Sequence, residues 1–378
     1  MQQRFLPLAL PLLLLIATAG CSRAADPAEI RLPPGFRISL YADNLDDARS
    51  LALSPTGTLF VSTRRAGKVY AVLDRDGDGR GDRTHVVAAG LDMPNGIAFK
   101  DGALYVAEPG RLLRYDDIEG RLDHPGTPAV VYDDFPRDRA HGWKFIAFGP
   151  DGLLYVPVGA PCNICDPGAP YAALHRMRAD GSGRELFARG IRNTVGFDWH
   201  PETGELWFTD NGRDWLGDDL PPDELNRAPT PGLHFGYPYR HGRDLADPEF
   251  GDKEKGGPFT PPAHEFQAHV AALGAEFYTG AMFPEKYRHS LFVAQHGSWN
   301  RSSKVGYRLV CLFIDKERVT GSEVFAEGWL RDGRVSGRPV DLETMADGSL
   351  LLSDDHAGAV YRISHEPARP APAEPSGE

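Results

Sequence analysis

Short apolar segments alternate with polar turns along most of the chain, and one arrangement of them recurs. Each copy has an apolar segment, a turn that ends in glycine and a second apolar segment. Copies begin at Leu51, Gly96, Phe145, Val195 and Leu342, and a degenerate copy begins at Thr279. The copies recur at intervals of about 45 to 60 residues with one longer gap, a spacing typical of paired strands in propeller blades. The pattern therefore predicts an all-β fold, a six-bladed β-propeller over residues 32–364.

The segment from Gly35 to Leu45 precedes the first copy and contains alternating apolar and polar residues. We expect it to add a strand to the last blade, beside the segment AVYRIS that begins at Ala359, because a closed ring leaves no open sheet edge. A β-sandwich built of similar hairpins is the alternative, which the regular recurrence of the turn disfavours.

The first 21 residues have the pattern of an export signal. The apolar run from Leu6 to Ile16 is too short to span a bilayer, and small residues precede Cys21. A cysteine at this position resembles a bacterial lipobox, which predicts an exported, periplasmic lipoprotein acylated on Cys21; Ser22 favours the outer membrane. A plain secretory peptide with an incidental cysteine is the alternative.

Two further segments lack apolar periodicity. Residues 22–31 are predicted to be a tether that follows the lipid anchor, and residues 365–378 a disordered tail. No other contact with a membrane is expected.

Charge narrows the class of ligand. The 378 residues carry a net charge of -12, so the chain offers no overall basic field for nucleic acid or for anionic lipid. Small polar molecules are the better candidates.

Polar residues interrupt the apolar pattern where the repeated strands begin or end, and such loops form the channel mouth of a propeller. They are rich in cations and amides, which suits a ligand that carries several carboxylates. The candidates are His141, Asn163, Arg192, Asn193, Asn211 to Asp214, Gln295 to Lys304, Arg334 and Arg338.

Four segments carry a resemblance to a known family. RAHGWKFIAFGPDGLLY, RGIRNTVGF, LFVAQHGSWNR and GRPVDLETMADGSLLLSDD are similar to segments of the soluble sugar dehydrogenases that depend on pyrroloquinoline quinone (PQQ), especially the sorbosone dehydrogenase branch. The resemblance runs from about Leu32 to Ser364. It implies that a propeller holds PQQ over a calcium ion and that an aldose or sugar aldehyde passes a hydride to the quinone. The electrons then pass from the reduced quinone to an unidentified acceptor, a cytochrome or a quinone.

The resemblance also implies roles for residues. His141 matches the general base of the family through the run H-x7-G-P-D. Family members with an aspartate that orients this base carry it at the position of Ala160, so either Asn163 replaces it in the substrate site or the base is oriented differently. Arg192 and Asn193 match the pair that contacts the quinone oxygens in the family. Arg338, and Arg301 or Lys304, are placed to pair with the carboxylates of the cofactor. The carbonyl oxygens of Gly212 and Arg213 match calcium ligands, and Asn95 matches an amide that contacts substrate or cofactor.

The proposed chemistry requires these residue types. Hydride leaves a carbon only as its hydroxyl loses a proton, and a neutral imidazole accepts a proton near neutral pH. A guanidinium such as Arg192 and a divalent cation stabilise charge on the quinone oxygen. The structural alternatives are that His141 caps a strand and that Arg192 and Asn193 make hydrogen bonds between blades.

Cysteines and acidic residues give two further signals. In an exported chain without histidines at zinc-finger spacing, Cys162 and Cys165 are expected to form a disulfide, and Cys311 to be a buried thiol. The run DRDGDGRGD has the spacing of a calcium loop, but position twelve is His85 in place of glutamate, so a structural calcium site and a solvated hairpin both remain open. The candidate ligands are Asp74, Asp76, Asp78 and Asp82.

Two other functions are compatible with a six-bladed propeller. A calcium-dependent lactonase would use Asn95 and Asn193 around a hydrolytic metal, but it has no need for a cationic cluster. A non-catalytic, membrane-tethered binding module has no need for a base beside an Arg-Asn pair.

Overall fold

A computed structural model describes residues 26–366 of the chain. The predicted export signal and Cys21 lie outside the described residues, as does most of the predicted tail. Short 3₁₀ turns are the helical elements of the described part, at Pro27–Glu29, Glu119–Arg121, Gly251–Lys253 and Glu285–Tyr287. None of its helices has the length and apolar character needed to cross a membrane.

Six four-stranded antiparallel sheets form the blades, which confirms the predicted propeller. The first strand in the chain, β1 (Phe36–Ala42), belongs to the last blade. Blades 1 to 3 are formed by β2 (Ala48–Leu53), β3 (Leu59–Thr63), β4 (Lys68–Leu73) and β5 (Arg83–Ala89); β6 (Gly96–Lys100), β7 (Ala103–Ala107), β8 (Leu112–Tyr115) and β9 (Ala129–Tyr132); and β10 (Ala147–Phe148), β11 (Leu154–Val158), β12 (Ala173–Met177) and β13 (Glu185–Arg189).

The second half of the chain completes the ring and adds two small hairpins. Blade 4 combines β14 (Phe197–Trp199), β15 (Leu206–Asp210) and β16 (Asp223–Ala228) with β19 (His264–Phe266), after the hairpin of β17 (Arg240–His241) and β18 (Leu245–Ala246). Blade 5 has β20 (Ala272–Phe277), β21 (Leu291–Gln295), β22 (Arg308–Asp315) and β23 (Arg318–Glu327). The hairpin of β24 (Leu330–Arg331) and β25 (Arg334–Val335) precedes blade 6, which has β26 (Pro339–Thr344), β27 (Leu350–Asp354), β28 (Ala359–His365) and β1.

The ring closes as the sequence predicts. Strand β1 pairs antiparallel with β28, from Phe36 opposite His365 to Ala42 opposite Val360. The degenerate copy at Thr279 differs from the expected hairpin, because the first strand of blade 5 ends at Phe277, before that segment begins.

The core lies between neighbouring blades. In every blade the second strand is buried along its whole length, which explains why these segments have nearly continuous apolar sequence. Adjacent blades pack these strands against one another, and the aromatic cluster around Phe283, Phe292 and Phe325 joins blade 5 to Phe36 of blade 6. Burial on both faces fixes the register of each blade.

The described ends of the chain correct the predicted boundaries. Within the predicted tether, Ile30 is buried in the core of blades 5 and 6, and Arg31 pairs with Glu327. His365, assigned to the tail, is the last residue of β28. The folded domain therefore begins before residue 32 and extends past residue 364.

Candidate functional site

Loops and strand ends of blades 1, 3, 4, 5 and 6 converge at one end of the central channel, and the segment that joins blade 2 to blade 3 contributes His141 and Trp143. The first strand of an antiparallel hairpin begins at the same end at which the second strand finishes, so residues just before first strands and just after second strands meet there. They enclose a cavity of about 390 Å³, a size typical of small-molecule sites. The cationic and aromatic lining residues are Arg49, Arg64, Arg65, His141, Trp143, Arg192, His269, His296, Trp299 and Arg338.

A backbone carbonyl orients His141. Its Nδ1 lies 2.7 Å from the carbonyl oxygen of Ala160, and because a carbonyl oxygen only accepts, Nδ1 carries the proton and Nε2 is the acceptor nitrogen. Gly159 allows the close approach, since a Cβ there would lie 2.6 Å from the Cβ of His141. Of the two predicted alternatives, the geometry favours the second, because the backbone of Ala160 and not Asn163 holds the imidazole. The role of His141 as a general base stays a prediction.

Burial keeps the imidazole of His141 neutral. Desolvation, followed by the positive charge of Arg192, lowers its pKa from the ordinary 6.5 to about 4. The backbone of His141 also has a φ of 48°, a left-handed conformation that is uncommon for a residue with a side chain. Such strain is frequent at functional sites.

Asn163 holds Arg192 in place. Within residues 26–366, no hydrogen bond joins Asn163 to His141. Arg192 donates from Nε to the Asn163 carbonyl and from Nη2 to its Oδ1, both at 2.9 Å. The same Oδ1 accepts from the backbone N–H of Asp214 at 2.8 Å, and Arg192 Nη2 also lies 3.1 Å from Asp214 Oδ2. Asp210 accepts from the backbone N–H groups of Arg192 and Asn193.

The cavity has more positive than negative charge. Arg49 pairs with Asp355 at 2.8 Å and Arg192 with Asp214, whereas no ion pair joins Arg64, Arg65 or Arg338 to a carboxylate in the part of the chain that the structure describes. Burial and the nearby charge of Arg49 lower the pKa of Arg64 to about 10, and its guanidinium lies over the ring of Trp143 at 4.6 Å.

Two lining residues have buried N–H groups without a partner in the described residues, Arg338 at Nε and Trp143 at Nε1. Buried donors are nearly always satisfied in a native protein. Together with the excess of guanidinium groups, these donors fit a ligand that brings several carboxylate or carbonyl oxygens into the cavity.

Several predicted site residues lie elsewhere. The side chain of Asn95 is buried behind the cavity, where its Oδ1 accepts from Arg49 Nε at 2.7 Å. Arg301 binds the carbonyl of Asp218, Lys304 donates to the carbonyl of Gly333 at 3.1 Å, and neither lines the cavity. These contacts correct the expectation that Arg301 or Lys304 faces a bound ligand; their sequence spacing does not reveal that both side chains turn away from the cavity.

The two predicted calcium ligands differ in position. Gly212 lines the cavity and donates its N–H to Asp223 at 2.9 Å. The side chain of Arg213 turns away to Asp247 and Glu249, at 2.7 and 2.9 Å. A role for the two carbonyl oxygens in binding calcium stays a prediction.

The sequence analysis missed Arg49, Arg64, Arg65 and Trp143 as lining residues, and it covered His296 only within a longer segment. Arg64 and Arg65 directly follow the second strand of blade 1, the position that pointed to Asn211 in blade 4, so the repeat itself was the available signal. His296 lies 2.9 Å from Asp355, which also holds Arg49, and these contacts span 59 and 306 residues.

The three predicted cysteine positions lie outside the residues that line the cavity. Cys162 and Cys165 are joined as a disulfide whose loop presents Asn163 to Arg192, and Cys311 is a buried free thiol.

The acidic loop lies in the hairpin between β4 and β5. Ligand atoms of Asp74, Asp76 and Asp78 lie within 4.8 Å of one another, while Asp82 accepts from the backbone of Arg75 and stands apart from this cluster. Asp74 accepts from two backbone N–H groups of its own turn. The choice between calcium and a solvated hairpin remains open.

Comparison with known proteins identifies a matching family and a relative that covers nearly the whole chain. The family model for glucose/sorbosone dehydrogenases matches residues 118–363. An uncharacterised protein of Borreliella burgdorferi is 31% identical over 367 residues, which is 93% of this chain and 95% of that protein.

Solved structures share the fold at low identity. The calcium structure of the Trichoderma reesei carbohydrate-active enzyme of family AA12 is 20% identical with a TM-score of 0.75, covering 89% of this chain and 97% of that one. The holo PQQ domain of pyranose dehydrogenase from Coprinopsis cinerea is 19% identical with a TM-score of 0.72 over the same shares. The PQQ-bound aldose sugar dehydrogenase of Streptomyces coelicolor is 20% identical with a TM-score of 0.64, covering 89% and 100%.

Proposed function

Because the chain belongs to the glucose/sorbosone dehydrogenase family, we propose that it is a PQQ-dependent dehydrogenase that oxidises an aldose or a sorbosone-like sugar aldehyde. One observation carries the proposal: a neutral imidazole, His141, lines a cavity walled by guanidinium groups. The solved structures of similar fold that hold PQQ support the choice of cofactor.

The residues of the cavity fit PQQ. Its three carboxylates call for cationic partners, and Arg338, Arg64 and Arg65 line the cavity without ion pairs to carboxylates of residues 26–366. Arg192 and Asn193 would face the quinone oxygens, and the carbonyl oxygens of Gly212 and Arg213 would hold calcium. When bound, PQQ supplies the acceptor for the hydride that leaves the sugar carbon.

The protein's own part in the reaction is acid–base chemistry and positioning. His141 accepts the proton of the sugar hydroxyl at Nε2, because Nδ1 is occupied by the Ala160 carbonyl. Arg192, held by Asn163 and Asp214, presents a fixed positive charge beside it. The partner that takes up the electrons, a cytochrome or a quinone, remains unidentified.

The alternatives fit these residues less well. A lactonase would use Asn95 on a hydrolytic metal, but that amide is bonded to Arg49 behind the cavity. A passive binding module has no requirement for a neutral base with a fixed tautomer.

The test is reconstitution of the purified protein with PQQ and calcium chloride. Quenching of tryptophan fluorescence is expected to follow the binding of PQQ, and reduction of a redox dye is expected with aldoses or sorbosone. Reconstitution with PQQ and EDTA in place of calcium chloride is expected to abolish both signals if calcium belongs to the site. Absence of PQQ binding at micromolar concentrations would overturn the proposal.

We also propose that the protein is exported and anchored through an acylated Cys21, which the apolar segment before it and its lipobox-like position support. Since this would be the only anchor, Cys21→Ser is expected to move the protein from the membrane fraction to the soluble fraction. Unchanged fractionation would contradict the anchor and leave the proposed chemistry untouched.

A further inference from the structure

Two tryptophan side chains stand in solvent at the rim of the cavity. Trp215 and Trp299 are each 68% exposed, more than any other large apolar side chain in residues 26–366. Their rings meet edge to face with centroids 5.4 Å apart, and Trp299 also lines the cavity. Tryptophan is on average a well-buried residue, so an exposed pair beside a ligand cavity indicates a binding surface.

The loops that carry the two rings are fastened to each other. Asn300, next to Trp299, donates from Nδ2 to Asp214 Oδ1 at 2.7 Å, and Asp214 precedes Trp215. Farther along, the N–H of Ser302 donates to Asp218 Oδ1 at 3.1 Å, and the Arg301 guanidinium binds the Asp218 carbonyl. These bonds hold the two loops that carry the indoles in place, which lowers the entropic cost of ordering them when a ligand binds.

The backbone of Trp215 supports the same conclusion. Its φ of 73° lies in the left-handed region that favours glycine, where a bulky side chain is a genuine outlier. A loop that keeps tryptophan at a position better suited to glycine uses the indole for something other than packing, because the ring is mostly in water.

The size and setting of the pair define the ligand. Two tryptophan side chains bury at most about 500 Å², well under the roughly 800 Å² per partner of a specific protein interface. The exposed carboxylate of Asp219 and the amide of Asn300 lie on the same two loops, so apolar faces are bordered by hydrogen-bonding groups. A pyranose ring has this character, with apolar C–H faces and hydroxyl groups around its edge.

We propose that Trp215 and Trp299 form a platform for a second sugar ring, linked to the ring that enters the cavity, so that the preferred substrates are oligosaccharides. The proposal rests on the proposed sugar dehydrogenase activity. It makes the platform a determinant of specificity: His141 and the cationic cavity act on the terminal ring, and the indoles hold its neighbour.

Binding is measured first with sugars that lack a free anomeric hydroxyl, in calorimetric titrations of the PQQ-loaded protein. Methyl β-cellobioside, methyl β-maltoside or methyl β-lactoside is expected to bind at least about tenfold more tightly than methyl β-glucoside, as stacking on aromatic rings supplies. The double variant Trp215→Ala/Trp299→Ala is expected to lose this preference. Trp299→Phe keeps an aromatic face and is expected to retain part of it, and Val130→Ala, an exposed apolar residue of β9, serves as the matched control.

Kinetics separate the two proposals. In Trp215→Ala, which leaves every residue that lines the cavity in place, the KM for cellobiose, maltose or lactose is expected to rise about three- to tenfold with kcat retained, while the parameters for glucose stay unchanged. Equal binding of mono- and disaccharide glycosides by the wild type, or an equal change for glucose and disaccharides, would overturn the platform. If disaccharide glycosides bind through the indoles but no sugar is oxidised, the platform stands and the dehydrogenase assignment fails. Thermal unfolding of Trp215→Ala and of the double variant checks that the loss does not arise from misfolding.

Discussion

The two ends of the central channel carry opposite kinds of ionisable side chain, basic at the mouth and acidic at the far end. The mouth contains the guanidinium groups of Arg49, Arg64, Arg192 and their neighbours. The far end is a cavity of about 210 Å³ lined by apolar strand residues and by four carboxyl groups, those of Asp198, Glu276, Asp341 and Glu343.

The difference lies in how each end can relieve its charge. At the far end, burial raises the pKa of Asp198 to about 6 and of Asp341 to about 7, and burial with neighbouring carboxylates raises the pKa of Glu276 and Glu343 well above the usual range. The raised pKa values mean that this end can relieve its repulsion by holding protons. A guanidinium keeps its charge at neutral pH, so the mouth is left to be neutralised by an anionic ligand.

The largest effect, on kcat, is expected from His141, which belongs neither to the arginines of the mouth nor to the carboxyl groups of the far end. His141→Gln keeps a hydrogen-bonding side chain but removes the proton acceptor, so kcat is expected to fall by about 10² to 10⁴. PQQ affinity, followed by fluorescence, is expected to stay near the wild-type value. Full activity in this variant would return His141 to a strand-capping role.

Removal of one cation from the mouth tests its need for an anion. Arg338→Ala is expected to weaken PQQ binding by about 10- to 100-fold, because hydrogen bonds to charged groups contribute about 1.5–3 kcal/mol. Turnover at saturating cofactor is expected to change little. Arg334→Ala, an exposed arginine on the adjacent hairpin, is the matched control, and an equal effect of both variants would refute a specific contact.

A smaller effect is expected from loosening Arg192. In the wild type, the acid limb of kcat/KM is expected near pH 4, where His141 protonates. Asn163→Ala removes the side-chain acceptor for Arg192 Nη2. Since the charge of Arg192 lowers the pKa of His141, a displaced guanidinium shifts the acid limb to higher pH.

The same variant is expected to lower kcat/KM about tenfold, as misplacement of a catalytic group does. Asn44→Ala, a surface variant, is the control. An unchanged pH profile would mean that Asn163 only packs the disulfide loop.

The smallest effect is expected at the far end of the channel, and it appears in stability alone. The folded protein holds the pKa of Glu343 above its unfolded value, so the wild type loses stability as pH rises above about 4.3. Glu343→Gln removes this loss. Its free energy of unfolding, measured by chemical denaturation, is expected to equal that of the wild type at pH 4.5 and to exceed it by about 1 kcal/mol at pH 8. Its kcat is expected to stay unchanged. A variant that is less stable at pH 8 would show that the carboxylate is needed there.

The ring was predictable because its signal is local and repeated. Each second strand is buried on both faces, so every copy has the same apolar run and turn. Strand ends then located His141, Arg192, Asn193, Gly212 and Arg338 at one mouth. Side-chain direction could not be read from spacing: Arg301 turns away to Asp218, and Arg49, which lies inside β2, faces the mouth through contacts with Asp355 far along the chain.

The pairing of β1 with β28 means that the cavity is completed across the seam between the two ends of the chain. Arg49 and Arg64 come from the first blade, whereas Arg338 and Asp355 come from the last, so these groups meet only after the whole chain has been synthesised and the ring has closed. A ligand that binds arginines of both blades therefore stabilises the contact between the first and the last blade. By mass action it shifts the equilibrium between open and closed rings toward the closed ring. Protection of β1 and β28 amides from hydrogen exchange reports this coupling directly.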